Sequence, residues 1–324
     1  LDVPQWIERF LTHWRPGAVL WTESEFWPNT IAAIRERGIP LALINARLSP
    51  RSFARWQTVS RFLRPPLDAF SPCLAQDDVI AARLTALGAR HVQCLGNLKF
   101  DAAPLPADET ELARLKAAIG NRPVWLAASI QPGEAVAVAD THAALAAKHA
   151  DLLTIVVPRH PTRGAEIADL LGRGGLTVAL RSSGALPMGR TSAYIADTMG
   201  ELGLFFRLAR VVFMGGSLVP HGGQNALEAA RLDAAMVLGP HMHNFPEVTA
   251  ALLAAGGAEQ IGAARDLPEA IDRLLTDEAA AAARASAARR VADTGRGTVT
   301  RVATALIPLL EPLSGPREER RATA

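Results

Sequence analysis

Arg210-Val-Val-Phe-Met-Gly-Gly-Ser-Leu-Val-Pro-His-Gly-Gly-Gln-Asn-Ala-Leu-Glu228 is the stretch whose reading decides the fold. Val211 to Met214 is a short apolar run, as in a buried parallel strand. Gly215 and Gly216 stop that strand, and Ser217 to His221 form an irregular loop. Gly222 and Gly223 then lead into a helix predicted over Gln224 to Arg231. Four glycines let the backbone approach a ligand where side chains would collide. A helix start adds unpaired N–H groups and a positive dipole end, which suit a phosphate. Asn225 and Glu228, three residues apart, share one face of the helix. A carboxylate there can accept hydrogen bonds from two ribose hydroxyls. A tight βα turn with a capped helix, without a ligand, has the same pattern, and the glycine spacing is not that of a dinucleotide fingerprint.

Working outward, strands and helices alternate on both sides of this stretch. The pattern predicts an amphipathic helix over 3–14, with Val3, Ile7, Phe10, Leu11 and Trp14 on one face. Strands follow at 18–21, 41–44, 74–76 and 91–95, with helices at 28–37, 50–63 and 78–87 between them. Residues 102–108 hold two prolines and read as a linker, and a charged helix follows at 109–119. The rhythm then restarts, with strands at 124–128, 152–157, 176–180, 193–195, 211–214, 234–238 and 258–261. Helices are expected at 133–149, 162–173, 200–208, 224–231, 245–255 and 267–275, then at 279–292 and 298–310. Such alternation means a parallel sheet covered on both faces, and the restart means two of them. Residues 316–324 read as a charged, frayed tail.

The chain has 324 residues, 49% hydrophobic and 20% charged, which is globular and long enough for two α/β domains. A net charge of +2 with dispersed basic residues gives no case for nucleic acid. Cys73 and Cys94, without a CxxC pattern, read as buried thiols in a reducing compartment. The sequence holds no run of about 18 apolar residues, the length of a membrane-spanning helix, and no signal-peptide pattern is read. It begins at Leu1, within a helix already under way, so the expectation is that the true N-terminus lies upstream.

Ligands of open α/β sheets bind beyond the C-terminal strand ends, where five polar clusters fall. Glu23 and Glu25 follow the first strand, next to Phe26 and Trp27, which read as cleft lining as readily as core. Asn45 and Arg47 follow the second, and Lys99 stands in Gly96-Asn-Leu-Lys-Phe-Asp101. Pro158-Arg159-His160-Pro161 puts a guanidinium where it can meet a phosphate. Asp197-Thr-Met-Gly-Glu201 opens a helix whose N–H groups suit an anion or a base edge. Helix capping, ordinary turns and solvated surface account for each cluster equally well when taken alone. His241 and His243 lack a third ligand, so no metal site is read. Hydrolase, zinc-protease, P-loop and dehydrogenase motifs are absent. What remains is a pair of sheets with the parts that hold a nucleotide phosphate without a metal or other cofactor.

At these residues the sequence closely resembles the 3-deoxy-D-manno-octulosonic acid (Kdo) transferases. The pieces that carry the likeness are Trp21-Thr-Glu-Ser-Glu-Phe-Trp-Pro-Asn29, Asn45-Ala-Arg-Leu-Ser49, Leu98-Lys-Phe-Asp101, Val157-Pro-Arg-His-Pro161, Asp197-Thr-Met-Gly-Glu-Leu202, Gly215-Gly-Ser-Leu-Val219, Gly222-Gly-Gln-Asn-Ala-Leu-Glu228 and Gly239-Pro-His241. They run in family order over nearly the whole chain. The resemblance implies an α/β GT-B glycosyltransferase, with two Rossmann-like parallel-sheet domains facing a cleft. The first domain (1–103, acceptor side) would be incomplete. The second (104–297) would bind CMP-Kdo, and 298–324 would cross back. It implies an inverting transfer of Kdo from CMP-Kdo to a lipid A precursor, at the cytoplasmic face of the bacterial inner membrane and against the membrane surface. The implied CMP contacts are Pro158, Arg159, Met199, Gly200, Glu201, Asn225, Ala226, Leu227 and Glu228. Glu23 and Lys99 match the positions the family gives to transition-state stabilisation. Two readings stay beside this one: a GT-B enzyme using a UDP-sugar, and a nucleotide-binding module without turnover.

The sequence departs from the family in two ways. Gln224 and Ala226 stand where His and Pro are frequent. Residues 1–22 also lack the Ser-x-Gly-Glu loop that carries the family's general base. The expectation is therefore little or no transferase activity from these 324 residues. Turnover by the purified chain at a rate near that of a full-length family member would contradict it.

Overall fold

The structure, a computed structural model, describes residues 2–23, 25–58 and 65–313. Ser24, the last part of the helix expected over 50–63 and the charged tail at 316–324 lie outside the described residues. The chain forms two compact units, one of residues up to Ala102 together with those from Gly295 on, the other Ala103–Thr294.

In the first unit, helix α1 (Pro4–Trp14) precedes β1 (Val19–Thr22), α2 (Pro28–Glu36), β2 (Leu41–Ala46), α3 (Pro50–Thr58), β3 (Cys73–Ala75), α4 (Asp78–Ala86) and β4 (Val92–Cys94). Pro4 and Pro28 open their helices at positions whose N–H would have no partner in any case. Asp77 caps α4 by accepting from the Ile80 N–H at 2.7 Å. The four strands are parallel and lie in the order β1-β2-β3-β4. Right-handed crossovers taken always in one direction put the connecting helices on one face. Strand alternation then divides the core. Leu41, Leu43 and Cys73 pack with Ile7, Ile31, Ile34 and Leu84. Ala42 and Leu74 point the other way, toward Val302 and Leu306.

Those two residues belong to the final helix, Thr298–Leu310, which covers the second face of the sheet. Its start is fixed by Asp101, whose carboxylate accepts from the Gly297 N–H at 2.9 Å and the Val299 N–H at 2.6 Å. Gly295 has to be glycine, since a Cβ there would lie 2.1 Å from Phe100 Cβ. Two expectations need correction. Only Ile7 and Leu11 of α1 are buried, and Val3, Phe10 and Trp14 are exposed together with Trp6. The apolar stripe of α1 is thus wider than the surface it covers in this unit. Cys94 is exposed, because β4 is an edge strand, and Cys73 alone is a buried thiol, its pKa pushed up to about 12 by burial.

The second unit contains α5 (Glu109–Ile119), β5 (Val124–Ile130), α6 (Ala135–Ala146), β6 (Leu153–Pro158), α7 (Gly164–Arg173), β7 (Val178–Leu180), β8 (Ala193–Ile195), α8 (Leu202–Phe206), β9 (Val211–Met214), α9 (Ala226–Ala230), β10 (Ala235–Leu238), α10 (Pro246–Ala254), β11 (Ala258–Gln260), α11 (Leu267–Thr276) and α12 (Glu278–Asp293). The helix Thr298–Leu310 is accordingly α13. The seven strands are parallel, in the order β11-β10-β9-β5-β6-β8-β7. Their near-continuous apolar sequences follow from burial on both faces: β9, β10 and β6 are buried throughout. From β5 the chain first winds outward through β6 to β7 and β8. It then returns to the other side of β5 as β9. The strand order therefore reverses between β5 and β9, and a crevice opens beyond their C-terminal ends. Among the described residues no helix is long and apolar enough to cross a membrane.

Candidate active site

The glycine-rich loop leaves β9 at that reversal. Gly215 donates its N–H to the Ala128 carbonyl at 2.8 Å. A Cβ on it would lie 2.6 Å from Ile130 Cα and 2.7 Å from the Ser129 carbonyl oxygen, so only glycine fits between the strands. Gly216 follows with φ +70°, in the left-handed region that glycine adopts without strain. The loop is held from below by Glu134, which is fully buried at the start of α6. One carboxylate oxygen accepts from the N–H groups of Gln131 and Gly216, both at 2.7 Å. The other accepts from Ser217 at 3.1 Å and Leu218 at 2.9 Å. Four convergent N–H donors replace the water that the carboxylate loses on burial. Buried Ser217 extends the lock: its hydroxyl accepts from the Gly239 N–H at 2.8 Å, and its carbonyl accepts from the His241 N–H at 2.9 Å. The motif pattern does not single out Glu134, because Gly216, Ser217 and Leu218, which bind it, lie far along the chain from it. Its one visible signal is a carboxylate just after a buried strand and a glycine.

The loop returns through Gly222 and Gly223 to α9. Asn225 caps this helix, its side-chain oxygen accepting from the Leu227 N–H at 3.2 Å, and its amide reaches Glu228 Oε1 at 3.4 Å. Burial pushes the Glu228 carboxyl above its ordinary range. The Asn225 amide and the charges of Arg159 and Arg231 oppose that rise. Asn225, Glu228 and Arg159 thus share one electrostatic neighbourhood, and Arg159 is exposed at the end of β6. Ala226 and Leu227 are fully buried, and Pro158 is buried as well, so only their backbones can meet a ligand.

At the end of β8, Met199 is 79% exposed and Gly200 takes φ +82°. The Glu201 side chain is already engaged. Arg181 donates to it at 3.1 and 2.6 Å, and Thr198 adds a hydroxyl bond. Arg181 also pairs with Glu111 at 2.9 Å, and its grip holds Glu201 below the ordinary carboxylate range. Glu201 therefore shapes the loop and leaves its backbone to face a ligand. Asp197 is tied down too, accepting from the Ser182 N–H at 2.9 Å and hydroxyl at 2.6 Å. The helices expected over 200–208 and 224–231 are single turns, Leu202–Phe206 and Ala226–Ala230. A turn of that length sums few peptide dipoles, so charge complementarity toward an anion falls mainly on Arg159.

The other polar cluster lies within the first unit, at the C-terminal ends of β1 to β4. Lys99 Nζ pairs with Glu23 Oε1 at 2.9 Å, both side chains being 40% exposed. Glu23 and Asn45 adopt φ +61° and +51°, which non-glycine residues hold only when their surroundings compel it. For Asn45 those surroundings are clear. Its side-chain oxygen accepts from the Leu98 N–H at 3.0 Å, and its carbonyl accepts from the buried Gln76 amide at 2.9 Å. Gln76 accepts from the Asn97 amide at 3.2 Å, and Asn97 accepts from the Lys99 N–H at 3.0 Å. Gln76 and Asn97 were not singled out by motif. They connect strand ends that only the folded sheet brings together. Phe26 is core, while Trp27 is exposed and donates to Glu25 at 3.1 Å. Among the described residues no three His, Cys, Asp or Glu side chains are grouped to hold a metal ion.

Two outcomes are expected. Glu134→Ala strands four buried N–H groups, at about 1–3 kcal/mol each less what water recovers, for a net loss on the order of 4 kcal/mol. Chemical denaturation measures it, and a loss under about 1 kcal/mol would contradict the lock. For Glu228, a folded pKa raised above the unfolded value makes the folded state hold more protons between the two. Stability then falls as pH rises through that window. Glu228→Gln should consequently melt above the parent once pH exceeds the ordinary value near 4.5, by a margin that grows until the folded pKa is passed. Equal melting curves at every pH would contradict the burial.

Comparison with known proteins agrees with this geometry. Residues 1–102 match the family model described as 3-deoxy-D-manno-octulosonic-acid transferase. The 3-deoxy-D-manno-octulosonic acid transferase of Haemophilus influenzae is 34% identical over 318 residues, 96% of this chain and 74% of that relative. Among solved structures, the C-terminal CMP-Kdo binding domain of WaaA from Acinetobacter baumannii is 30% identical. It covers 56% of this chain and 96% of that domain, with a TM-score of 0.54. The UDP-GlcNAc 2-epimerase of Neisseria meningitidis, solved with UDP-GlcNAc, shares the fold alone, at 15% identity and a TM-score of 0.57 over 94% of this chain and 79% of its own. The two parallel-sheet α/β units are those of the GT-B class, and the chain belongs to the 3-deoxy-D-manno-octulosonic acid transferase family of glycosyltransferases.

Proposed function

We propose that the second unit binds CMP-Kdo beyond β5, β6 and β9, and that Kdo passes from it to a lipid A precursor with inversion at the anomeric carbon. The observation that carries the reading is the half-buried Glu228, hydrogen-bonded by the Asn225 amide and within the electrostatic influence of Arg159, beside the glycine-rich loop. A carboxylate kept partly dry accepts hydrogen bonds from ribose hydroxyls with little competition from water. Arg159 meets the phosphate, and the backbone at Met199, Gly200 and Glu201 contacts the base. The 30% identity to a CMP-Kdo binding domain, over 96% of that domain, supports cytidine as the nucleoside.

In the transfer the bond from the anomeric carbon to the CMP phosphate breaks, and a bond to the acceptor oxygen forms. CMP leaves as an anion, and Arg159 stabilises the charge that develops on it. Within the first unit Glu23 holds the Lys99 ammonium at 2.9 Å, and the family resemblance gives this pair to transition-state stabilisation. The acceptor hydroxyl gives its proton to a separate base, which the family resemblance places in a Ser-x-Gly-Glu loop. A lipid acceptor puts the reaction at a membrane surface, for which we propose the cytoplasmic face of the bacterial inner membrane.

Calorimetric titration of CMP and UMP tests the donor site. CMP should bind more tightly than UMP, and Glu228→Ala and Arg159→Ala should each weaken CMP about tenfold or more. Equal or better binding of UMP would favour a UDP-sugar enzyme, and CMP binding unaffected by either substitution would remove these residues from the site.

A further inference from the structure

Arg181 follows β7, at the edge of the sheet, and opens a short turn to Ser183. Its side chain is 11% exposed, and all three guanidinium nitrogens are engaged by protein. Nε and Nη2 grip the two oxygens of Glu201 at 3.1 and 2.6 Å, and Nη1 holds Glu111 of α5 at 2.9 Å. The Glu201 carboxylate also receives the Thr198 hydroxyl. Next to Arg181, Ser182 binds Asp197 through its N–H at 2.9 Å and its hydroxyl at 2.6 Å. The loop 197–201 is thus fastened at both ends from one turn. Its middle stays bare: Met199 is 79% exposed, and a Cβ on Gly200 would meet nothing within 4 Å. Behind the loop, α8 is held to residues 105–106. A Cβ on Gly203 would lie 2.3 Å from the Pro106 carbonyl oxygen, and Arg207 donates to the Leu105 carbonyl at 2.8 Å.

Backbone groups read a base edge well only when their positions are fixed beforehand, because ordering a loop on binding costs affinity. A short loop with a glycine at φ +82° has little shape of its own. Here the shape is imposed by a planar guanidinium fork, which meets a carboxylate edge-on and in register. Glu111 anchors the other side of the fork. It sits in the first turn of α5, where Asp108 caps the helix by accepting from the Glu111 N–H at 3.0 Å. We propose that Arg181 is a positioning residue for the donor base: acting through Glu201, and without touching the nucleotide, it holds the backbone of Met199, Gly200 and Glu201 in the arrangement that distinguishes cytosine from uracil. This rests on the CMP-Kdo reading above and names the residue that fixes its base-reading loop.

Calorimetric titration of CMP and UMP tests it, on the parent chain, on Arg181→Met, Arg181→Lys and Glu201→Gln, and on the double variant of Arg181→Met with Glu201→Gln. Methionine keeps most of the stem and removes the fork, whereas lysine keeps the charge alone. Arg181→Met should weaken CMP about tenfold and UMP less than about threefold, so that the preference for CMP narrows. Arg181→Lys should fall between the parent and Arg181→Met. The double variant should lose no more than Arg181→Met, since both changes break one contact. Thermal unfolding checks each variant. If Arg181→Met does not fold, a narrowed preference for CMP in Arg181→Lys and Glu201→Gln supports the assignment, and an unchanged preference overturns it. Three further results would overturn it: CMP and UMP weakened in equal proportion, CMP affinity within about twofold of the parent, or additive losses in the double variant. Failure of the parent chain to bind CMP, or CMP binding indifferent to Glu228→Ala, would instead overturn the nucleotide reading beneath it.

Discussion

One buried carboxylate fixes the geometry of the second unit. Glu134 gathers four backbone N–H groups from the end of β5 and from the loop after β9. Those two strands are neighbours only because the winding reverses between them. A reversal in a parallel sheet leaves a crevice with no connection crossing it, and a glycine-rich loop there would be free to collapse into the gap. The carboxylate prevents this by binding the loop through its backbone, so that no side chain is needed to hold it. The glycines can therefore stay glycines, and the backbone stays accessible to a ligand. Close packing sets the rest, since Gly215 against β5 and Gly239 against Ser217 leave no room for a Cβ.

The two units divide the physical work differently. Near Glu228 and Arg159 the second unit relies on partial burial, which strengthens a few polar contacts. The first unit gathers half-exposed charges, Glu23 and Lys99, and keeps them in register through a chain of amides. Asn45, Gln76 and Asn97 form that chain, and the left-handed backbone at Glu23 and Asn45 is the conformational cost it sustains. Strain of this kind persists where the surroundings over-determine it, and here each strand end contributes one link. The transferase reading uses each arrangement within its own unit, since departure of an anion needs positive charge and a donor needs orientation.

Much of the fold is legible in the residues. Apolar runs of four to seven, glycine and proline punctuation and aspartates at helix starts locate strands and helices, because each is a local effect. Asp77 and Asp277 cap the helices that follow them for reasons visible in a few residues of sequence. What escapes local reading depends on distant segments. Periodicity makes one apolar face of α1, but it does not show that only Ile7 and Leu11 find cover. Glycine and glutamate at 200 and 201 predict a helix start, but not that Arg181 occupies the glutamate. Glu134, Gln76 and Asn97 are ordinary residues in the sequence, and most of their partners come from the ends of other strands. Cys94 reads as a buried thiol until the sheet order makes β4 an edge.

A crystal structure of the chain with CMP tests the central claim most directly. The nucleotide should lie beyond β5, β6 and β9 with its ribose on Glu228 and its phosphate toward Arg159. The loop from Gly215 to Leu218 should remain fastened to Glu134. CMP bound away from Glu228 and Arg159, or a loop that detaches from Glu134 when CMP binds, would contradict it.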